Sequence, residues 1–204
     1  RWRRQCVTAV DVPPAARVVD LMAGMGEACH AIAPRLNADA SVVAVDYSPV
    51  MCARARRYED GRLVFPLEVH EHDALATALP DASADVVVST FGLKTLAADD
   101  WPRLAAEIHR LLRPGGRFSL LEISVPDAAW LRVPYLFYLR RLIPLLGRLF
   151  LGNPDNYRLL AVYTEAFANC DAFCEAARAA GLAVRPARYF FGCAAGVIGR
   201  KAVG

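Results

Sequence analysis

The chain has 204 residues, of which 55 % are hydrophobic and 22 % charged. That balance excludes a disordered polymer and is enough for one α/β domain with a sizeable core. A net charge of +3 is too small to argue for a nucleic-acid partner.

The six cysteines, Cys6, Cys29, Cys52, Cys170, Cys174 and Cys193, form no C-x-x-C pair. They are expected to be reduced thiols of a cytosolic protein. No signal peptide is visible. The sequence begins at Arg1 without a methionine, so an N-terminal segment is expected to precede it.

In chain order, residues 1–10 read as a short basic helix stopped by Pro13-Pro14. Val18 and Val19 make a buried strand that Asp20 closes. Gly24 and Gly26 then allow a tight turn and a close approach to a ligand. A helix is predicted over Glu27 to Arg35. Strand, Gly-x-Gly turn and helix open a nucleotide-binding sheet. A second strand, Val42 to Val45, ends in Asp46, where a carboxylate can take both hydroxyls of a ribose.

The third glycine of a dinucleotide fingerprint is replaced by Cys29. Asp20 stands where phosphates would lie. It repels phosphate and suits a cation. Asp20-x-x-x-Gly24-x-Gly26 therefore fits S-adenosylmethionine, which carries a sulfonium and an ammonium and no phosphate, better than NAD.

Ser48 and Pro49 are a good N-cap and first residue for a helix to Arg57. Leu63 to Val69 reads as a third strand, near an edge because of Pro66. Asp73, just beyond it, is placed to accept a hydrogen bond from an adenine amino group. His70 and His72 lack a third ligand, and no metal is expected. Ala84 to Thr90 is the clearest central strand, with the loop Phe91 to Leu96 at its carboxyl end. Asp99 or Asp100 is expected to cap the next helix, whose apolar positions Leu104, Ile108, Leu111 and Leu112 recur at helical spacing. His109 reads as a packed or exposed residue of that helix. Arg113-Pro114-Gly115-Gly116 marks a hard turn before a strand from Phe118 to Ile123.

Residues 128–151 break the alternation. They are rich in Leu, Tyr and Phe, and they contain Arg132, Arg140, Arg141, Arg148, Pro134 and Pro144. The arginines and prolines argue against a membrane span. A lid over an apolar pocket, a basic surface that touches lipid, and a packed helix pair are all open. A helix with Tyr157, Leu160 and Tyr163 follows, then one from Asp171 to Ala180 ended by Gly181. Strands over 183–191 and 194–200 close the chain. Alternating strands and helices imply a parallel sheet covered on both faces.

Together these motifs resemble the ubiquinone/menaquinone biosynthesis C-methyltransferases, a branch of the class I S-adenosylmethionine-dependent methyltransferases. The resemblance runs from Trp2-Arg3-Arg4 to Gly196-Val197-Ile198. It rests on Val19-Asp20-Leu21-x-x-Gly24-x-Gly26, Val45-Asp46-x-Ser48-Pro49-x-Met51, Asp73-Ala74 and Leu112-Arg113-Pro114-Gly115-Gly116. Phe91-Gly92-Leu93, Leu121-Glu122-Ile123-Ser124-x-Pro126, Pro144-Leu145-Leu146-Gly147 and Asn156-Tyr157-Arg158-Leu159-Leu160 point to the branch.

The resemblance implies a Rossmann-like seven-stranded sheet, mostly parallel with the last strand antiparallel, in one domain over 1–204 with a helical lid at about 126–168. It implies contacts to S-adenosylmethionine at Gly24, Met25, Gly26, Asp46, Asp73, Ala74 and Thr90. Asp20, Ala23, Tyr47 and Met51 complete the candidate cofactor set. The implied acceptor is a prenylated quinol or related aromatic, methylated on a ring carbon, in a cytoplasmic protein. No nucleic acid is expected. Contact with a membrane surface and a homodimer are both compatible.

Three departures stand out. Met25 replaces the family's usual Thr, so the methionine end of the cofactor must be held by backbone groups and Glu27. Lys94-Thr95 replaces Arg-Asn near the quinol, and Lys lacks the planar fork of Arg. The family's N-terminal segment, which covers the cofactor and carries a tyrosine, would lie before Arg1, outside this sequence.

Lys94 is the candidate for stabilising a phenolate and, with a lowered pKa, for acting as a base. Tyr163 and Glu122 are further candidates. The alternatives are O- or N-methylation in natural-product assembly, a non-catalytic methyltransferase-like scaffold and, distantly, an NAD-dependent reductase.

Overall fold

β-Branched runs with few polar interruptions build the centre of the sheet. In the computed structural model, which describes residues 2–58, 63–145 and 155–203, these are β1 (Arg17–Leu21), β2 (Ser41–Asp46) and β4 (Ala84–Thr90). Each is buried along most of its length, as inner parallel strands must be. With β3 (Leu67–Glu71), β5 (Leu112–Ile123), β6 (Leu182–Tyr189) and β7 (Ala194–Lys201) they form a seven-stranded sheet of order β3-β2-β1-β4-β5-β7-β6. β1 to β5 pair in parallel, and β7 is antiparallel to both neighbours, as expected.

Among the described residues, the helices include α1 (Trp2–Thr8), α2 (Glu27–Ile32), α3 (Pro49–Ala55), α4 (Trp101–Leu111), α5 (Ala129–Phe137), α6 (Asp155–Phe167) and α7 (Asp171–Ala179). Successive strand residues face opposite sides. Val19 joins Leu104, Ile108 and Phe173 in the core under α4 and α7, while Val18 joins Val7, Ile32 and Phe65 in the core on the α1 and α2 side. The sheet is thus covered on both faces.

Several local expectations hold, and others need correction. Ser48 caps α3 from an extended backbone, its hydroxyl accepting from Met51 N at 3.4 Å. Gly181 follows α7 at φ +85°. The third strand starts at Leu67, not Leu63, although it is an edge strand as predicted. Pro66, which has no N–H to give, stays just outside it, its carbonyl accepting from Val42 N at 3.0 Å.

Asp100 occupies the N-cap position of α4, as expected, but its side chain makes no cap hydrogen bond. A 3₁₀ turn, Ala98–Asp100, leads into the helix, and Asp100 has helical backbone (φ −88°, ψ −14°). Its carboxylate pairs with Arg103 at 3.2 Å instead. The turn at 113–116 lies inside β5 as a bulge between the pairs Ala84↔Leu112 and Val86↔Arg117, with Gly115 at φ +78°.

Between β5 and α7, α5 runs on as a π turn, Tyr138–Leu142, and α6 follows. Arg140 Nε donates to Glu165 Oε1 at 2.7 Å and ties the two helical pieces together. Leu146, Gly147, Arg148, Leu149, Phe150 and Leu151, part of the apolar segment singled out in the sequence, lie outside the described residues. Among the described residues no helix is long and apolar enough to cross a membrane.

Candidate cofactor and acceptor site

The carboxyl ends of β3, β2, β1 and β4 are neighbours in the sheet. The chain leaves β1 and β4 toward opposite sides of the order, which opens a crevice between them. Most predicted cofactor residues are on or just beyond these ends. Asp20 is the penultimate residue of β1, and Ala23, Gly24, Met25 and Gly26 follow it; Asp46 ends β2, and Tyr47 and Met51 follow it; Asp73 and Ala74 follow β3; Thr90 ends β4.

The turn after β1 is under steric constraint. Met22 has φ 56°, a left-handed backbone that is uncommon without glycine. A Cβ on Gly92, just past β4, would lie 2.5 Å from Met22 Cβ, so glycine is required where these two loops meet. Gly24 has φ +58° and would point a Cβ into open space. Asp46 Oδ2 accepts from Gly24 N at 2.7 Å and Oδ1 from Ser48 N at 2.9 Å. One lone pair on each oxygen stays available for a ribose diol.

Asp20 is 2 % exposed, and neither of its oxygens has a hydrogen-bond partner among the described residues. Burial pushes its pKa up to about 8; Arg3 pulls it down, while Asp46 and Glu27 add to the rise. Buried polar groups are nearly always paired. An orphaned carboxylate beside an open glycine turn suits a cationic ligand, so these residues fit S-adenosylmethionine.

α1 closes one side. Arg3 pairs with Glu27 Oε2 at 2.6 Å, so α1 is tied to the start of α2 through a residue that the sequence placed at the methionine end of the cofactor. Trp2 stacks on Phe190 at 5.1 Å and meets Phe91 at 6.1 Å, and the Arg3 guanidinium lies 5.1 Å from the Phe91 ring centre. Trp2, Arg3, Arg4, Glu27, His30, Ala31 and Phe91 surround a cavity of about 420 Å³.

The remaining candidates have varied settings. Met25 Sδ accepts from Arg54 at 3.5 Å. Tyr47 is 79 % exposed. Asp73 Oδ1 accepts from Leu75 N at 2.9 Å, so part of its acceptor capacity stabilises its own turn. Ala74 is buried.

Lys94 is in a 3₁₀ turn, Leu93–Thr95, that packs against α6. Its Nζ donates to Phe91 O at 2.6 Å and to Glu122 Oε1 at 2.9 Å. Glu122 is fully buried and also accepts from Lys94 N at 3.1 Å and Ile123 N at 2.8 Å. Burial raises the Glu122 pKa against the pull of Lys94. These two bonds fix the Lys94 Nζ beside the end of β4 and leave one of its donors uncommitted. Tyr163, on α6, is 41 % exposed.

Sequence reasoning passed over Trp2, Met22 and Phe190. The strain at Met22 has no signal in residue type. Trp2 was visible only as an aromatic residue in a basic helix. The six cysteines are unpaired, and burial pushes Cys6 and Cys29 up to about 12, far from a nucleophilic thiolate. Among the described residues no group of three or more His, Cys, Asp or Glu side chains is arranged to hold a metal.

Comparison with known proteins agrees with this geometry. The ubiE/COQ5 methyltransferase family model matches residues 1–201. A demethylmenaquinone methyltransferase of Thermus thermophilus is 37 % identical over 203 residues, 98 % of this chain and 90 % of that protein. One from Lactiplantibacillus plantarum is 30 % identical over 202 residues, 98 % of this chain and 84 % of that protein. In fold, a SAM-dependent methyltransferase from Aquifex aeolicus superposes with a TM-score of 0.68 at 14 % identity, over 97 % of this chain and 88 % of that one. The chain therefore belongs to the ubiE/COQ5 methyltransferase family and is an S-adenosylmethionine-dependent methyltransferase.

Proposed function

We propose that this chain methylates a ring carbon of a quinol that carries an apolar chain, within one domain whose segment at about 126–168 is the acceptor lid. The observation that carries the cofactor side is the orphaned, buried Asp20 beneath the open Gly24 turn. The acceptor reading is supported by the demethylmenaquinone methyltransferases it resembles.

When bound, S-adenosylmethionine supplies a methyl group already activated on sulfur. Asp20 would hold its cationic end, Asp46 its ribose, and Asp73 and Ala74 its adenine edge. The protein's task is then alignment and exclusion of water.

A lysine ammonium has three donors, and two of those on Lys94 go to Phe91 O and Glu122. The third is the proposed donor to the quinol oxygen as that oxygen loses its proton. Negative charge on the oxygen raises the nucleophilicity of the ring carbon. Tyr163 is proposed to line the acceptor side. On α5, the exposed Trp130, Val133 and Phe137, with the exposed Arg141 in the π turn beyond it, are the proposed contact with a membrane surface.

The test is transfer of labelled methyl to a panel of demethylated quinols, phenols and amines. Carbon-methylated quinol is the expected product. Activity on amines or phenol oxygens alone would overturn the acceptor reading.

A further inference from the structure

The hairpin joining β6 to β7 is on the ligand edge of the sheet. β6 is antiparallel to β7, and β7 is antiparallel to β5, so β6 ends at the same edge as β1, β4 and β5. The hairpin is Phe190–Gly192, and its backbone is costly. Phe190 (φ 50°), Phe191 (φ 56°) and Gly192 (φ 89°) are all left-handed. Such turns ordinarily use Gly, Asn or Asp, because a β-carbon crowds the backbone there. Two consecutive phenylalanines in this conformation are strained, and strain of this kind gathers at ligand-binding sites.

The surroundings hold the hairpin in place. Ser124 Oγ donates to Gly192 O at 2.7 Å, and Tyr135 of α5 donates to Cys193 O at 3.2 Å. A Cβ on Gly192 would meet Pro126 Cα at 3.3 Å. On the other side, Trp2 stacks on Phe190 and reaches Phe91. An aromatic row thus runs from the end of β4, beside Lys94, through α1 to the hairpin. Phe191 follows directly and is 85 % exposed. The fold fixes a large apolar ring in water, at the rim of the site and next to the helical segment.

We propose that Phe191 is a specificity-determining residue that packs against the apolar chain of the methyl acceptor where it leaves the site. This rests on the quinol reading above. The occupant follows from continuity: the row begins beside the proposed acceptor oxygen donor, and its far end is apolar and uncovered. Acceptors with a chain gain contact with Phe191, and acceptors without one do not.

The decisive variant is Phe191→Asn, because asparagine accepts a left-handed backbone and so removes the ring without adding strain. Initial rates are measured on a demethylated naphthoquinol with a prenyl chain and on its chainless analogue, both in detergent. S-adenosylhomocysteine affinity and the melting temperature serve as controls. The variant is expected to raise KM for the chained quinol about tenfold. It should leave kcat, the chainless substrate and both controls unchanged or, for melting, improved. Phe191→Leu should restore most of the discrimination.

Equal loss on both substrates, or no change on the chained one, would overturn the proposal while leaving the quinol reading intact. Loss seen only when the acceptor is presented in vesicles would also overturn it, in favour of a lipid contact. A wild-type protein inert on both quinols would overturn the acceptor reading and this proposal with it.

Discussion

Asp20 and Glu107 are both buried carboxylates, 2 % and 6 % exposed, at opposite ends of the strands. Around Glu107 every requirement is met. Thr77 donates to it from its backbone at 2.8 Å and from its hydroxyl at 2.6 Å, and Arg110 donates at 2.7 and 2.8 Å. The same arginine holds Leu79 O at 2.7 Å and Asp81 at 2.5 Å, so it pins the loop that leads into β4. Despite burial, these bonds lower the Glu107 pKa. Asp20 has burial without bonds, and its pKa rises to about 8. Satisfied polar groups hold a fold together, whereas an unsatisfied one is a cost that a ligand can remove. Glu122 lies between the two: it is fully buried, but paired with a lysine at the site.

The largest expected effect is on the structural side. Glu107→Ala leaves Arg110 and Thr77 without their acceptor and should cost about 3 kcal/mol in urea unfolding, with S-adenosylhomocysteine affinity unchanged. A stable Glu107→Ala protein would break the contrast. Next, Asp20→Asn should weaken S-adenosylmethionine by about 30-fold in calorimetry, roughly 2 kcal/mol, while the melting temperature holds or rises. A lower melting temperature with intact binding would assign Asp20 to the fold.

The two groups should also respond to pH with opposite signs. The folded pKa of Asp20, about 8, is above its ordinary value of 3.8. In that window the folded state holds more protons than the unfolded one, so stability without cofactor falls as pH rises from about 4 to 8. Asp20→Asn should flatten this slope in unfolding curves. The folded pKa of Glu107 is lowered, so its contribution is present above the unfolded value and is lost as pH falls through the folded one. A cation at Asp20 favours the ionised form, so cofactor binding should tighten toward pH 8 and release a proton. The smallest effect is Arg3→Ala. Its bond to Glu27 is about one-third exposed and should contribute only about 0.5 kcal/mol to stability. The variant should nevertheless raise the Asp20 pKa further, visible as a shift in the pH profile of binding.

Much of this was legible in the sequence because it depends on local chemistry. Val18-Val19-Asp20 and Val45-Asp46 declare buried strands that end in carboxylates, and Ser48-Pro49 declares a helix start. The pairing of Lys94 with Glu122 was not legible. The two are distant in sequence and meet only because β4 and β5 are neighbours. That contact fixes the position of the Lys94 side chain. Asp100 was placed correctly at the N-cap of α4, but a 3₁₀ turn put it in helical backbone, so its side chain pairs with Arg103 and does not cap the helix. The strained phenylalanines of the last hairpin were hidden for a different reason: residue type argues against the conformation they adopt.

β7 is the last strand in sequence order and yet an inner strand, bonded to β5 and β6. One side of β5 can be paired only by β7, which comes some seventy residues later in the chain. Phe118, Leu120 and Leu121 lie along β5. An apolar strand with a free edge invites pairing with other chains. The strand that completes β5 is thus the last one the ribosome delivers.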